Sequence, residues 1–138
     1  MALLNPLKKG LVLYGDDSRE PASEPALIEY GRVYEGEGRP SDALDFYGKA
    51  GYEEGMEAII RRALDEGDFF LFRKGCTLIG REPETGDLTT LGENALKSGR
   101  LVFARQAFEA AGDKKGLKRT EQEMEKAGLI QKEAPEAS

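Results

Sequence analysis

The sequence predicts an all-α protein: a row of about three helical hairpins, an α-solenoid closed by a C-terminal capping helix. Three observations predict it. Apolar residues recur at spacings of three and four, the period of one helix face. Many of the 17 glycines fall at the ends of those stripes, where helices break. A block of residues also recurs along the chain. Gly31, Gly38, Arg39, Ala43, Tyr47, Ala50, Gly51 and Gly55 reappear 61 residues on as Gly92, Gly99, Arg100, Ala104, Phe108, Ala111, Gly112 and Gly116. A weaker copy lies between them at an offset of 29, with Ile59, Ala63, Gly67, Phe72, Cys76, Ile79 and Gly80 in the places of Tyr30, Tyr34, Gly38, Ala43, Tyr47, Ala50 and Gly51. Repetition at this period is how stacked helical units read in sequence.

Residues 1–24 form an N-terminal segment and linker. Asn5-Pro6 could open a short helix carrying Leu7, Leu11 and Tyr14, followed by a polar stretch from Asp16 to Glu24. The repeat domain spans 25–130. In its first unit, 25–52, Leu27, Tyr30 and Tyr34 share one face, and Gly38-Arg39-Pro40 breaks the helix. Ser41 is the expected N-cap of the second helix, whose stripe is Ala43, Phe46, Tyr47 and Ala50, ended by Gly51. The second unit, 53–81, runs in register but carries large residues where the others carry small ones. The third unit, 87–112, is expected to open on a capping box at Thr90-Leu91-Gly92-Glu93. The acidic stretch Glu82 to Asp87 reads as the loop that lengthens the preceding interval. A capping helix, 113–128, shows Leu117 and Met124 on one side and charge elsewhere, with Gly128 as its stop. The tail, 131–138, is expected to be disordered. Small residues at Gly31, Ala43, Gly92 and Ala104 predict close helix approach, each notched by a bulky neighbour from the paired helix.

Composition narrows function. The chain of 138 residues carries 26 acidic and 20 basic side chains, a formal charge of −6, one cysteine and no histidine. Histidine-based acid–base chemistry and Ser-His or Cys-His nucleophiles are therefore excluded, and one thiol with carboxylates is a poor zinc set. No cofactor, metal site or catalytic cluster is predicted. The acidic balance weighs against nucleic acid, whose phosphates are held mainly by clustered Lys and Arg. No apolar run approaches the ~20 residues that span a bilayer, so integral membrane association is not expected and a cytoplasmic location is the default.

The pattern Leu27, Tyr30-Gly31, Tyr34, Gly38, Ala43, Tyr47 and Ala50 resembles a tetratricopeptide (TPR) repeat. Leu88, Leu91-Gly92, Ala95, Gly99, Ala104, Phe108 and Ala111 resemble it about as well, and Met56 to Ile79 match in register. The resemblance covers residues 25 to about 112. The units depart from the family's ~34-residue repeat in being shorter, and Gly55 and Gly116 stand where it would have proline, which implies an altered superhelical pitch. The resemblance implies a non-enzymatic protein–protein interaction module whose first helices line a concave groove for a partner peptide or helix. Carried over position by position, the groove residues are Ile28, Arg32 and Glu35, then Glu57, Arg61 and Leu64, then Glu93, Leu96 and Lys97. Alternating charge with isolated aliphatics suits a polar peptide with one or two apolar anchors. Ile28, Glu57 and Glu93 stand where related domains use Lys or Asn to clamp a C-terminal carboxylate, which disfavours chaperone tails.

Plainer readings compete at each position. Arg32 and Arg61 could pair with carboxylates of their own helices. The aromatic series Tyr30, Tyr34, Tyr47, Phe69, Phe72 and Phe108 reads as core, and Cys76 as a small buried hydrophobe. Phe69-Phe70-Leu71-Phe72 has more apolar residues in a row than one face can bury, so Phe70 is an alternative interface. That makes a structural or self-assembling subunit, a homo-oligomer through Phe70 and the end helices, the alternative function. An RNA-binding helical repeat, by analogy with pentatricopeptide arrays, is disfavoured by charge.

Overall fold

A computed structural model describes residues 23–131, which form seven helices and, among the described residues, no strand. In chain order they are α1 (Glu24–Gly36), α2 (Pro40–Ala50), α3 (Glu53–Glu66), α4 (Phe69–Ile79), α5 (Thr85–Lys97), α6 (Leu101–Ala111) and α7 (Lys114–Lys126). The protein is all-α. The expected N-terminal helix, most of its linker and nearly all of the tail lie outside the described residues.

Consecutive helices pair: α1 lies against α2, α3 against α4, and α5 against α6, while α7 packs on α6 and α5. Pairs then touch through like members, α3 with α5 and α2 and α6 each with α4. The pairing has a steric cause. A Cβ on Gly31 would come within 3.0 Å of several Tyr47 ring atoms, and one on Gly92 would lie 2.7 Å from Phe108. Ala43 and Ala104 are fully buried beside them. The expected notches are thus filled in the first and third pairs. In the middle pair the notch changes sides: Gly75 of α4 receives Ile60 of α3. This reversal accounts for the large residues that α3 carries where α1 and α5 carry glycine.

The aromatic series lies in the core as expected. Tyr34, Tyr47, Phe69, Phe72 and Phe108 are buried, and Tyr30 packs partly buried against them. Tyr30 meets Phe46 edge-on at 5.7 Å, and Tyr34 stacks on Phe46 at 5.2 Å, geometries that aromatic quadrupoles favour. Helix ends are closed by left-handed glycines at Gly51, Gly67, Gly80 and Gly112, and Gly128 follows α7 in the same conformation.

Two helix starts differ from expectation. The N-cap of α2 is Arg39, because Pro40 already holds the backbone angle of a first helical residue and has no N–H to satisfy. Ser41 sits inside the helix, and its carbonyl and hydroxyl both accept from Lys74 Nζ at 2.8 Å. Helix α5 begins at Thr85 with Glu84 as N-cap, so Thr90 to Glu93 is helix interior and makes no capping box. The acidic stretch is therefore loop only as far as Glu84, and Thr85 to Asp87 is the first turn of α5. Ser23, Asp68 and Asp113 are side-chain caps that sequence reading missed; they accept from the Ala26 amide at 3.3 Å and from the Leu71 and Gly116 amides at 3.0 Å.

Candidate functional site

The nine groove candidates lie on α1, α3 and α5, and their surroundings differ. On α1, Ile28 is half-buried against the core. Arg32 is exposed, 3.7 Å from Glu29, and a hydrogen bond to the Tyr52 side chain lifts its pKa further above the usual arginine value. Glu35 Oε1 accepts from the Tyr47 hydroxyl at 2.5 Å, so this carboxylate is tied to a core ring. Burial first, then that hydrogen bond, pushes the Tyr47 phenol well above its ordinary range. No close backbone approach links α1 to α3. Between them stand Tyr47 and Tyr52, edge to face at 5.2 Å.

The three α3 candidates come together. Glu57, Arg61 and Leu64 line one depression of about 400 Å³ with Asp65, Arg81 and Asp87. Arg81 reaches Glu57 with both guanidinium nitrogens, one at 2.8 Å from Oε1 and the other on Oε2. That fork holds the Glu57 carboxyl below the usual carboxylate range. Arg61 is exposed, and among the described residues no carboxylate lies within salt-bridge distance of it. Its charge nevertheless adds to that of Arg81 in holding the Glu57 carboxyl down.

On α5, Glu93 is engaged by Arg119 of α7, which also stands 5.8 Å over the Phe108 ring. Leu96 lines a separate depression at the α5–α7 end, and Lys97 is exposed. Asn94, absent from the candidates, is the side chain that joins α5 to α3: its Nδ2 donates to the Leu64 carbonyl at 2.8 Å. The Glu57–Arg81 and Glu93–Arg119 pairs span 24 and 26 residues. No helical spacing announces such partners, so sequence reading could not find them.

Phe70 emerges at 58% exposure while Phe69, Leu71 and Phe72 are buried. Cys76 is buried at 1% exposure, and burial is the main cause that pushes its thiol upward in pKa. Among the described residues, no three acidic or thiol side chains converge to hold a metal ion, and no helix is long and apolar enough to cross a membrane. A scan against family models, a search of curated proteins and a search of solved structures each found no match to this chain.

Proposed function

We propose that this chain is a non-enzymatic, cytoplasmic protein–protein interaction module, a TPR-like array of hairpins that holds a partner peptide along its first helices. The observation that carries the reading is the depression between α3 and α5, where the exposed Arg61, outside salt-bridge distance of any described carboxylate, lines the same wall as Leu64. A cation next to an aliphatic wall suits a peptide that offers a carboxylate and a neighbouring apolar anchor. Arg32 would extend the contact toward α1. The fork of Arg81 on Glu57 supports this, since Glu57 accepts its hydrogen bonds from Arg81 and not from Arg61.

The test is capture of partners from native lysate by the wild type and by the Arg32→Glu/Arg61→Glu variant, read by mass spectrometry. Circular dichroism first establishes that both are equally folded. A partner held by the wild type and lost by the variant is expected. Equal capture by both would move the working surface away from the first helices.

A second reading, a self-assembling subunit, is favoured by the exposure of Phe70 and of Leu129 beyond α7, both 58%. Light scattering that finds a strict monomer, unchanged by Phe70→Ser, would remove it.

A further inference from the structure

We infer that the second helices α4 and α6 carry a separate docking surface, and that its occupant is an acidic amphipathic helix of a partner protein. The inference goes beyond the first-helix reading and does not depend on it. Among the described residues, the large apolar side chains left exposed are Phe70, Leu78, Val102 and Leu129. All four fall on one strip. Phe70 and Leu78 line a groove of about 450 Å³ between α4 and α6, floored by Phe103. Phe103 also borders the adjoining depression of about 400 Å³ that holds Val102 and Leu129. A continuous apolar strip of this kind marks an interaction surface, whereas single exposed aliphatics do not.

Charge identifies the occupant. The chain is acidic overall, at −6, and carboxylates line the depressions at α3 and at the α5–α7 end. None lines either part of this strip, which is edged instead by Arg73, Lys74 and Arg100. Lys74 is held 3.1 Å from Asp45, and Arg100 lies 3.6 Å from Asp68. Arg73 is exposed, stands 6.0 Å from the centre of the Phe69 ring, and has no carboxylate within salt-bridge distance among the described residues. Helix α4 contains no acidic residue at all. Phe70, Lys74 and Leu78 follow one another a turn apart, so a basic position stands between the two exposed apolar ones on one line along the groove. A helix laid alongside would place aliphatics at i and i+4 against Phe70, Leu78 and Phe103, with Asp or Glu on its flank toward Arg73.

The test uses the full-length chain and a displayed library of amphipathic peptides of about 16 residues, each with leucines at i, i+4 and i+7. Its remaining positions vary among Asp, Glu, Lys, Arg, Ser and Gln. The expected result is a selected pool rich in Asp and Glu whose members bind Phe70→Ser at least about tenfold more weakly, while Arg62→Glu, at an exposed position that lines neither depression, binds them unchanged. Arg73→Glu, an exposed position, should lower the affinity of acidic peptides and raise that of their Lys-substituted counterparts, a gain that misfolding cannot imitate. An empty pool, a pool without acidic enrichment, or one indifferent to Phe70→Ser overturns the proposal. So does a concentration-dependent dimer that Phe70→Ser dissolves, which would assign the strip to a second copy. Flotation with anionic phosphatidylglycerol vesicles, lost in Phe70→Ser, would likewise overturn it in favour of a lipid surface.

Discussion

Tyr47 and Phe108 occupy equivalent places 61 residues apart, and each ring is pinned between two glycines. Gly31 and Gly55 flank Tyr47; Gly92 and Gly116 flank Phe108. A methyl group on any of the four would press on a buried ring that has no free side to retreat to, so the glycines and aromatics form one steric unit. The two rings differ in one atom, the Tyr47 hydroxyl that donates to Glu35. Phe108 shows that the equivalent place accepts phenylalanine, so Tyr47→Phe should cost only the hydrogen bond to the Glu35 carboxylate, about 1.5–3 kcal/mol in urea denaturation. A pH dependence should accompany it. The folded-state phenol has its pKa raised above its ordinary value of 10.0, while the unfolded chain titrates normally. Above that value the native state binds the additional proton, so stability present at neutral pH falls as pH rises. The drop in urea midpoint between about pH 9 and 11 should be shallower in Tyr47→Phe than in the wild type.

Helix ends obeyed local chemistry that was only partly visible in sequence. Glycine stops were legible because a left-handed C-terminal residue is nearly a glycine signature. Starts were less legible, since Ser, Thr, Asp and proline all compete for the same few positions. At α2 proline decided the start, and Ser41 became an acceptor for Lys74 across to α4. At α7 the cap is Asp113, whose carboxylate also lies at the positive end of the helix. Asp113→Ala should therefore lower stability by about 1 kcal/mol in thermal or urea unfolding. Ser41→Ala should show no loss of helix capping and only a smaller change from the lost Lys74 contact. Equal losses at the two positions would contradict this assignment. The middle pair carries a different lesson. Ile59-Ile60 in place of a large-small pair was legible as a departure, but its complement, Gly75, was not. Which helix supplies the notch depends on the pairing of two surfaces, and periodicity describes only one at a time.

Across the whole molecule, α3 and α5 are joined at one point where several requirements meet. Gly67 ends α3 with φ of +73°, and a Cβ there would collide with the backbone at Asn94 and Ala95 of α5. Asn94 in turn donates to the Leu64 carbonyl one turn earlier. Its counterpart 61 residues on, Gly128, has φ of +76° but would meet nothing within 4 Å. The two glycines share a backbone requirement and differ only in what lies beyond them. Gly128→Ala should cost about 1 kcal/mol from backbone strain alone, and Gly67→Ala about 3 kcal/mol or more as α5 is displaced. Paired melting curves would read the difference. The same offset sets another contrast between α3 and α7. Ile60, which enters α4 at Gly75, has Glu121 as its counterpart on α7, so that face turns polar where no described helix follows.

The sequence by itself determined what short-range physics controls: the helical stripes of the described residues, most of their glycine stops, the aromatic core, the burial of Cys76 and the surplus apolar residue at Phe70. Each depends on a few neighbouring residues and the 3.6-residue period. Tertiary structure alone decided which charges are engaged. Nothing local distinguishes Arg61 from Arg81, yet Arg81 is forked onto Glu57 and Arg61 is left without a carboxylate partner among the described residues. Nor does the spacing of α4 and α6 reveal that Phe70, Leu78, Phe103 and Val102 lie along one strip. Side chains from different helices meet according to crossing angle and register, which result from packing all the notches at once. The candidate surfaces belong to that level.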